Sequence, residues 1–245
     1  VKKILLLIVL FSFNFMFGCS CIFTTLAKAY QQADVVAEIT VLNVYGNDSV
    51  QKTYKADIKF EKFFKGKSNI KTLDVRGNIG NFPGSSCQLS FQTKAKYLIF
   101  LSNNNEIVSL CTPHYILDNN SYESKINAVE NLFSFLQDNT TKDDEFLVYF
   151  EQNKKGKSSI SKLKNFKPKN NFAVYEVILN SKNVIEKVKN ISEFGDRDDK
   201  IAELIQKNLN RDLTAISNKR LLIALVYIPE YIPIKYRDYI TSELY

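Results

Sequence analysis

The sequence predicts a mainly β protein with α: a small five-stranded β-barrel with flanking helices, followed by a compact α+β module. Three observations carry this expectation. β-branched and aromatic runs separated by turn clusters recur as far as Leu110, the apolar period becomes helical over Ser121–Gln137, and the polar stretch Asn139–Asp144 precedes a second, mixed set of runs.

Residues 1–18 come before the barrel. Lys2 and Lys3 precede an apolar run from Ile4 to Phe17, interrupted only by Ser12 and Asn14, and Gly18 supplies the small residue before a cleavage point. That is the pattern of a signal peptide, and the run is short for a membrane span. Thr24–Ala33 then reads as a helix that Thr24 or Thr25 caps, with Leu26, Ala29, Tyr30 and Ala33 on one face. Strands are expected at Val35–Tyr45, Tyr54–Phe64, Ile70–Arg76, Ala95–Leu101 and Ile107–Leu110, with turns at Gly46-Asn47-Asp48, Lys65-Gly66-Lys67 and Asn103-Asn104-Asn105. In the second strand Ala56, Ile58 and Phe60 alternate with Lys55, Asp57, Lys59 and Glu61, so one face is buried and the other wet. Closing five such strands into a barrel removes their exposed edges.

Ile126, Val129, Leu132, Phe133 and Leu136 recur at helical spacing, and the domain boundary follows that helix: 1–18 signal peptide, 19–138 first domain, 139–245 second domain. The second domain reads as a strand (Phe146–Phe150), a basic loop, a hairpin (Phe172–Leu179 and Val184–Ile191), a helix (Asp198–Leu209) and a last strand (Leu221–Ile228). Asp196, Asp198 and Asp199 are placed to cap that helix. The tyrosines of the tail, including Tyr231, Tyr236 and Tyr245, read as packing surface.

A chain of 245 residues with 45% apolar composition buries a real core. The net charge of +7 is dispersed among acids except at Lys154–Lys169, which holds seven lysines and no acid. Only Phe166 accompanies those lysines as an aromatic, which argues for a solvated loop and against nucleic acid. Four cysteines, Cys19, Cys21, Cys87 and Cys111, follow the expected cleavage point, so an exported chain would hold two disulfides. A Cys19–Cys21 bond fits disulfide geometry poorly, which leaves each of the two bridged to Cys87 or Cys111. Their spacing, with a single His114, does not match a zinc site; no metal, cofactor or enzymatic constellation is expected, and His114 reads as structural.

The first hundred residues after Gly18 resemble the inhibitory domain of the tissue inhibitors of metalloproteinases, a netrin-like module of the OB-fold group. The resemblance rests on Cys19-Ser20-Cys21, Ala33-Asp34-Val35-Val36, Tyr54-Lys55-Ala56-Asp57-Ile58 running to Phe63-Phe64-Lys65-Gly66, Ser85-Ser86-Cys87, Lys96-Tyr97-Leu98-Ile99 and Leu110-Cys111, in that order. It spans Cys19 to Leu117. It implies an OB-like barrel, bridges Cys19–Cys87 and Cys21–Cys111, and a zinc metalloprotease as partner. The α-amine and carbonyl of Cys19 would chelate the protease zinc, with Ser20, Cys21, Ile22, Phe23, Ser85 and Ser86 as protease contacts. Phe23 stands where the family usually has proline, and the chain lacks the family's third bridge and cysteine-rich C-terminal region. These departures fit a divergent bacterial relative.

Two other readings of the same residues are open. Met16-Phe17-Gly18-Cys19 ends like a lipobox; acylation at Cys19 would tie the chain to a membrane and block the amine that chelation needs. Alternatively, the stapled module serves a cell-envelope binding or scaffolding protein without inhibitory activity. All three readings place the chain outside the cytoplasm: secreted, periplasmic or at the cell surface.

Overall fold

A computed structural model describes residues 21, 24–79, 88–102, 107–117, 122–148, 163, 166–209, 213–228 and 239–241. The protein is mainly β with α, built as two sheets with helices between and beyond them.

Helix α1, Leu26–Gln32, starts because the Thr25 hydroxyl accepts the Lys28 amide at 3.1 Å. It buries Leu26, Ala29 and Tyr30. Strands β1 (Val35–Asp48) and β2 (Thr53–Lys65) form a long antiparallel hairpin. The turn expected at Gly46-Asn47-Asp48 lies three residues later. Gly46, at φ 71°, sits instead at a register break, and Asp48 Oδ1 accepts the amides of Val50 and Gln51 to close the turn. At the other end of β2, Gly66 passes so close to Asp34 that a Cβ would lie 2.2 Å from its carbonyl oxygen.

β3 (Thr72–Arg76), β4 (Lys96–Leu101) and β5 (His114–Ile116) complete an antiparallel sheet in the order β3-β2-β1-β4-β5. The fifth strand therefore differs from expectation. Ile107–Leu110 contributes a single parallel bridge, Val75 to Val108, before the chain turns over Ser109–Thr112. Ser109 Oγ accepts the Cys111 amide and Thr112 Oγ1 the Ser109 amide, and these local bonds compete with a ladder. Among the described residues that bridge is the only link across the open side of the sheet, so an unbroken closed barrel is not seen.

Over Val35–Ile39, β1 buries both faces. Val35, Ala37, Ile39 and Val41 face one cluster with Tyr54, Ala56, Ile58, Leu73, Val75, Tyr97 and Ile99. Val36 turns the other way, with Leu98 and Phe100, toward the helices. Helix α2, Tyr122–Asn139, fills that second side. Its Phe133 ring meets Tyr30 at 4.3 Å, Phe64 at 5.8 Å and Phe100 at 6.1 Å, while Phe135 meets Phe172 of the second sheet at 5.6 Å. One core cluster thus runs from Leu26 through Leu132 and Phe133 to Val174, Leu222 and Val226, across residue 139.

The second sheet comprises β6 (Glu145–Phe146), β7 (Phe172–Leu179), β8 (Ile185–Ser192), β9 (Leu221–Ile228) and β10 (Tyr239–Thr241). Its order is β10-β9-β7-β8, with β6 parallel to the start of β9. β9 is buried from Leu221 to Val226, as its unbroken apolar run demands, because α2 covers one face and helix α3 (Asp198–Asn208) the other. Ile201 and Ile205 of α3 are fully buried, worth about 2–3 kcal/mol each. The strand expected at Phe146–Phe150 is the two-residue β6; Tyr149, Phe150 and the lysines from Lys154 to Lys164 lie outside the described residues. β10 has no counterpart among the expected strands.

Asp198 and Asp199 stand in the first turn of α3, where negative charge favours the helix dipole, while the N-cap position is Arg197. The Asp198 carboxylate turns back and accepts the amides of Phe194 (2.8 Å) and Gly195 (2.7 Å) and the hydroxyl of Tyr175 (2.9 Å). The reason is Arg197, which takes a left-handed φ of 57° and swings the preceding loop over the helix start. Burial, with Asp198 beside it, pushes the Tyr175 hydroxyl far above the usual tyrosine range.

Candidate functional site

Cys21 and Cys111 form a disulfide, Cα to Cα 5.1 Å, across 90 residues of sequence. Of the two pairings left open by geometry, this excludes Cys19–Cys111. The bridge ties the residue four before the Thr25 cap to the turn ahead of β5, and a loop of this length is worth about 4–5 kcal/mol in the chain-entropy account. Cys19, Ser20, Ile22, Phe23, Ser85, Ser86 and Cys87 lie outside the described residues, as do residues 1–18. Of the sequence-predicted site, the structure brings together Cys21 and Cys111.

A cleft of about 510 Å³ opens beside the bridge, between α1 and residues 107–113. Gln32, Arg76, Ser102, Val108 and Cys111 are among its walls. Ile107, 40% exposed, is among its lining residues, and Leu110, next to Cys111 in the chain, is 45% exposed. Ser102 Oγ is buried with no hydrogen-bond partner among the described residues. His114, three residues beyond Cys111, donates Nδ1–H to the Thr112 carbonyl at 2.6 Å and meets Phe91 edge-on, which fixes the turn from below.

The site is held from behind by residues far away in sequence. Lys28 of α1 pairs with Glu145, whose other oxygen lies 3.4 Å from Lys219. Burial pushes the Glu145 carboxyl up, but Lys28 and Lys219 together pull it further down, to a net value below the usual carboxylate range. Gln31 donates both protons of its amide, to the carbonyls of Thr141 (2.8 Å) and Asp144 (2.9 Å). Arg220 binds the Asn139 carbonyl at 3.1 Å and Glu176 at 3.2 Å, closing the same junction. At the end of β2, Lys65 Nζ donates to the last carbonyls of α1, Tyr30 and Gln31; burial lowers its ammonium below the usual lysine range.

A second polar cluster fixes α2. Glu38, buried in β1, accepts Lys96 Nζ at 2.9 Å and the Tyr122 hydroxyl at 2.8 Å on both oxygens, with the ammonium 4.5 Å from the Tyr122 ring centre. The hydrogen bond to Glu38 raises Lys96 above its ordinary value. The sequence signal is a lone acid inside Val35-Val36-Ala37-Glu38-Ile39. Among the described residues no group of three His, Cys, Asp or Glu side chains is placed to hold a metal ion, and no helix is long and apolar enough to cross a membrane. No protein-family model and no curated protein matches the chain.

Proposed function

We propose that the chain is an exported, metalloendopeptidase-inhibitor-like protein that presents the amine and carbonyl of Cys19 to a protease zinc. The observation that carries this reading is the Cys21–Cys111 bridge. Cys19 is two residues from a covalently fixed Cα, so it stays within about 7 Å of that point wherever it lies. Such tethering lowers the ordering cost of binding. The sheet order β3-β2-β1-β4-β5, with β3 bridged to the segment before β5, supports an OB-like barrel of the netrin-like type behind it. A free α-amine has a pKa near 8, so shedding its proton to bind zinc at neutral pH costs about 1 kcal/mol.

The test begins with intact mass and N-terminal sequencing of exported protein. Expected are a start at Cys19, a free amine and no free thiol. That material inhibits at least one zinc endopeptidase in a panel, and a form carrying one extra alanine before Cys19 does not. Equal inhibition by both forms overturns chelation; an acyl chain on Cys19 replaces it with membrane attachment. The cell-envelope scaffolding reading has its own support in the β8 edge of the second sheet, which no strand among the described residues covers, and it predicts partner capture unaffected by the extra alanine.

A further inference from the structure

β8 ends its sheet: β7 pairs with one of its edges, and no strand among the described residues pairs with the other. A groove of about 420 Å³ runs along that region, lined by Lys187–Asn190 of β8 and by Asp199, Ala202, Glu203 and Gln206 of α3. The four α3 residues recur three and four apart, so they form one stripe of the helix. Gln206 donates to the Glu186 carbonyl at 2.9 Å, which places the stripe over β8 and shows one strand carbonyl turned to the helix rather than to β7. An edge strand beside a helix groove is the geometry in which an extended peptide adds as a further strand.

The side chains say which peptide. Val188 is buried against Ile201 and Ile205 on the α3 face, so the alternation of a strand puts Lys187 and Lys189 together on the opposite face. Both are exposed, and neither has an ion pair among the described residues. Glu176, across from Lys189, is engaged by Arg220. Pairing β8 with its own copy in registers that keep the faces matched sets lysine against lysine, which is unfavourable. On the α3 side, Glu203 is already bound by Lys200 and Lys207, and Ala202 offers a small apolar surface.

We propose that the β8–α3 groove binds an extended peptide segment with carboxylates at alternate positions and small side chains between them. The carboxylates face Lys187 and Lys189, and the small side chains lie beside Ala202, flanked by the polar Asp199, Glu203 and Gln206 of α3. The partner is thus an acidic strand of another protein. This site is separate from the Cys21–Cys111 edge and stands whether or not the inhibitor reading does.

The test uses the full oxidised chain and two fluorescein-labelled octapeptides, one alternating Glu and Val, the other Lys and Val, followed by anisotropy and by amide exchange of β8. The acidic peptide binds, slows exchange along Lys187–Asn190 and is released by added salt. The double variant Lys187→Glu, Lys189→Glu, confirmed folded by circular dichroism, binds the acidic peptide at least about tenfold more weakly and gains affinity for the basic one. Absence of β8 protection, or a preference that charge reversal does not invert, overturns the proposal and leaves the lysines as guards of an unused edge.

Discussion

The two sheets share helix α2 and solve the same problem differently. The first packs one face into its own cluster around Ile39, Tyr54 and Ile99, gives the other to α1 and α2, and is cross-linked by Cys21–Cys111. The second has helices on both faces and, among the described residues, no disulfide and no strand on the outer edge of β8. The difference teaches where covalent restraint is needed. β9 is fixed by burial from Leu221 to Val226, whereas the turn at Ser109–Thr112 has an exposed Cys111 and little apolar burial to hold it. A covalent link does there what packing does in β9.

The comparison breaks first at Phe133. Truncating Phe133→Ala removes the ring that touches Tyr30, Phe64 and Phe100, and should cost about 3–5 kcal/mol. Because α2 belongs to both cores, urea unfolding of the full chain should remain one transition by circular dichroism and by tyrosine fluorescence; two separated transitions would show that the sheets are independent. Next comes the bridge. The double variant Cys21→Ala, Cys111→Ala should lose about 4 kcal/mol, and amide exchange should rise most at α1 and β5 and least at β9. Uniform loosening of both sheets would contradict the contrast.

Smaller effects sharpen it. Glu38→Gln keeps the shape but weakens the bond to Lys96, and a loss of about 1–2 kcal/mol in chemical denaturation is expected. The junction at Glu145 gives the smallest change. Its carboxyl is lower in the folded protein than the ordinary 4.5, so its stabilisation is complete above that pH and fades as pH falls through the folded value. With both partners partly exposed the effect stays below about 1 kcal/mol. Acid titration of stability should therefore show a shallower loss below pH 4.5 in Glu145→Gln than in the parent; parallel curves would remove Glu145 from the junction.

Much of the fold is legible because period and burial agree. The β1–β2 hairpin, the β7–β8 hairpin and α3 fall close to where alternation or helical spacing puts them, and Thr25 caps α1 as its hydroxyl permits. β5 lies further along the chain than its pattern suggests because Ile107–Leu110 is apolar for a different reason: Val108 bridges to Val75, and Ile107 lines the cleft. The role of the Asp198 carboxylate escapes the sequence because the direction of a capping side chain depends on the left-handed Arg197, which spacing does not reveal. At the site, the cysteines are visible in the sequence, but the contacts that hold α1 from behind are not. Lys28 and Glu145 are 117 residues apart, and nothing local marks them as partners.

The most direct measurement is titration of a susceptible zinc endopeptidase with the mature chain before and after acetylation of the Cys19 amine, with disulfides intact. Stoichiometric inhibition that acetylation abolishes is the predicted result. Inhibition of unchanged strength after acetylation would contradict a zinc-chelating N-terminus.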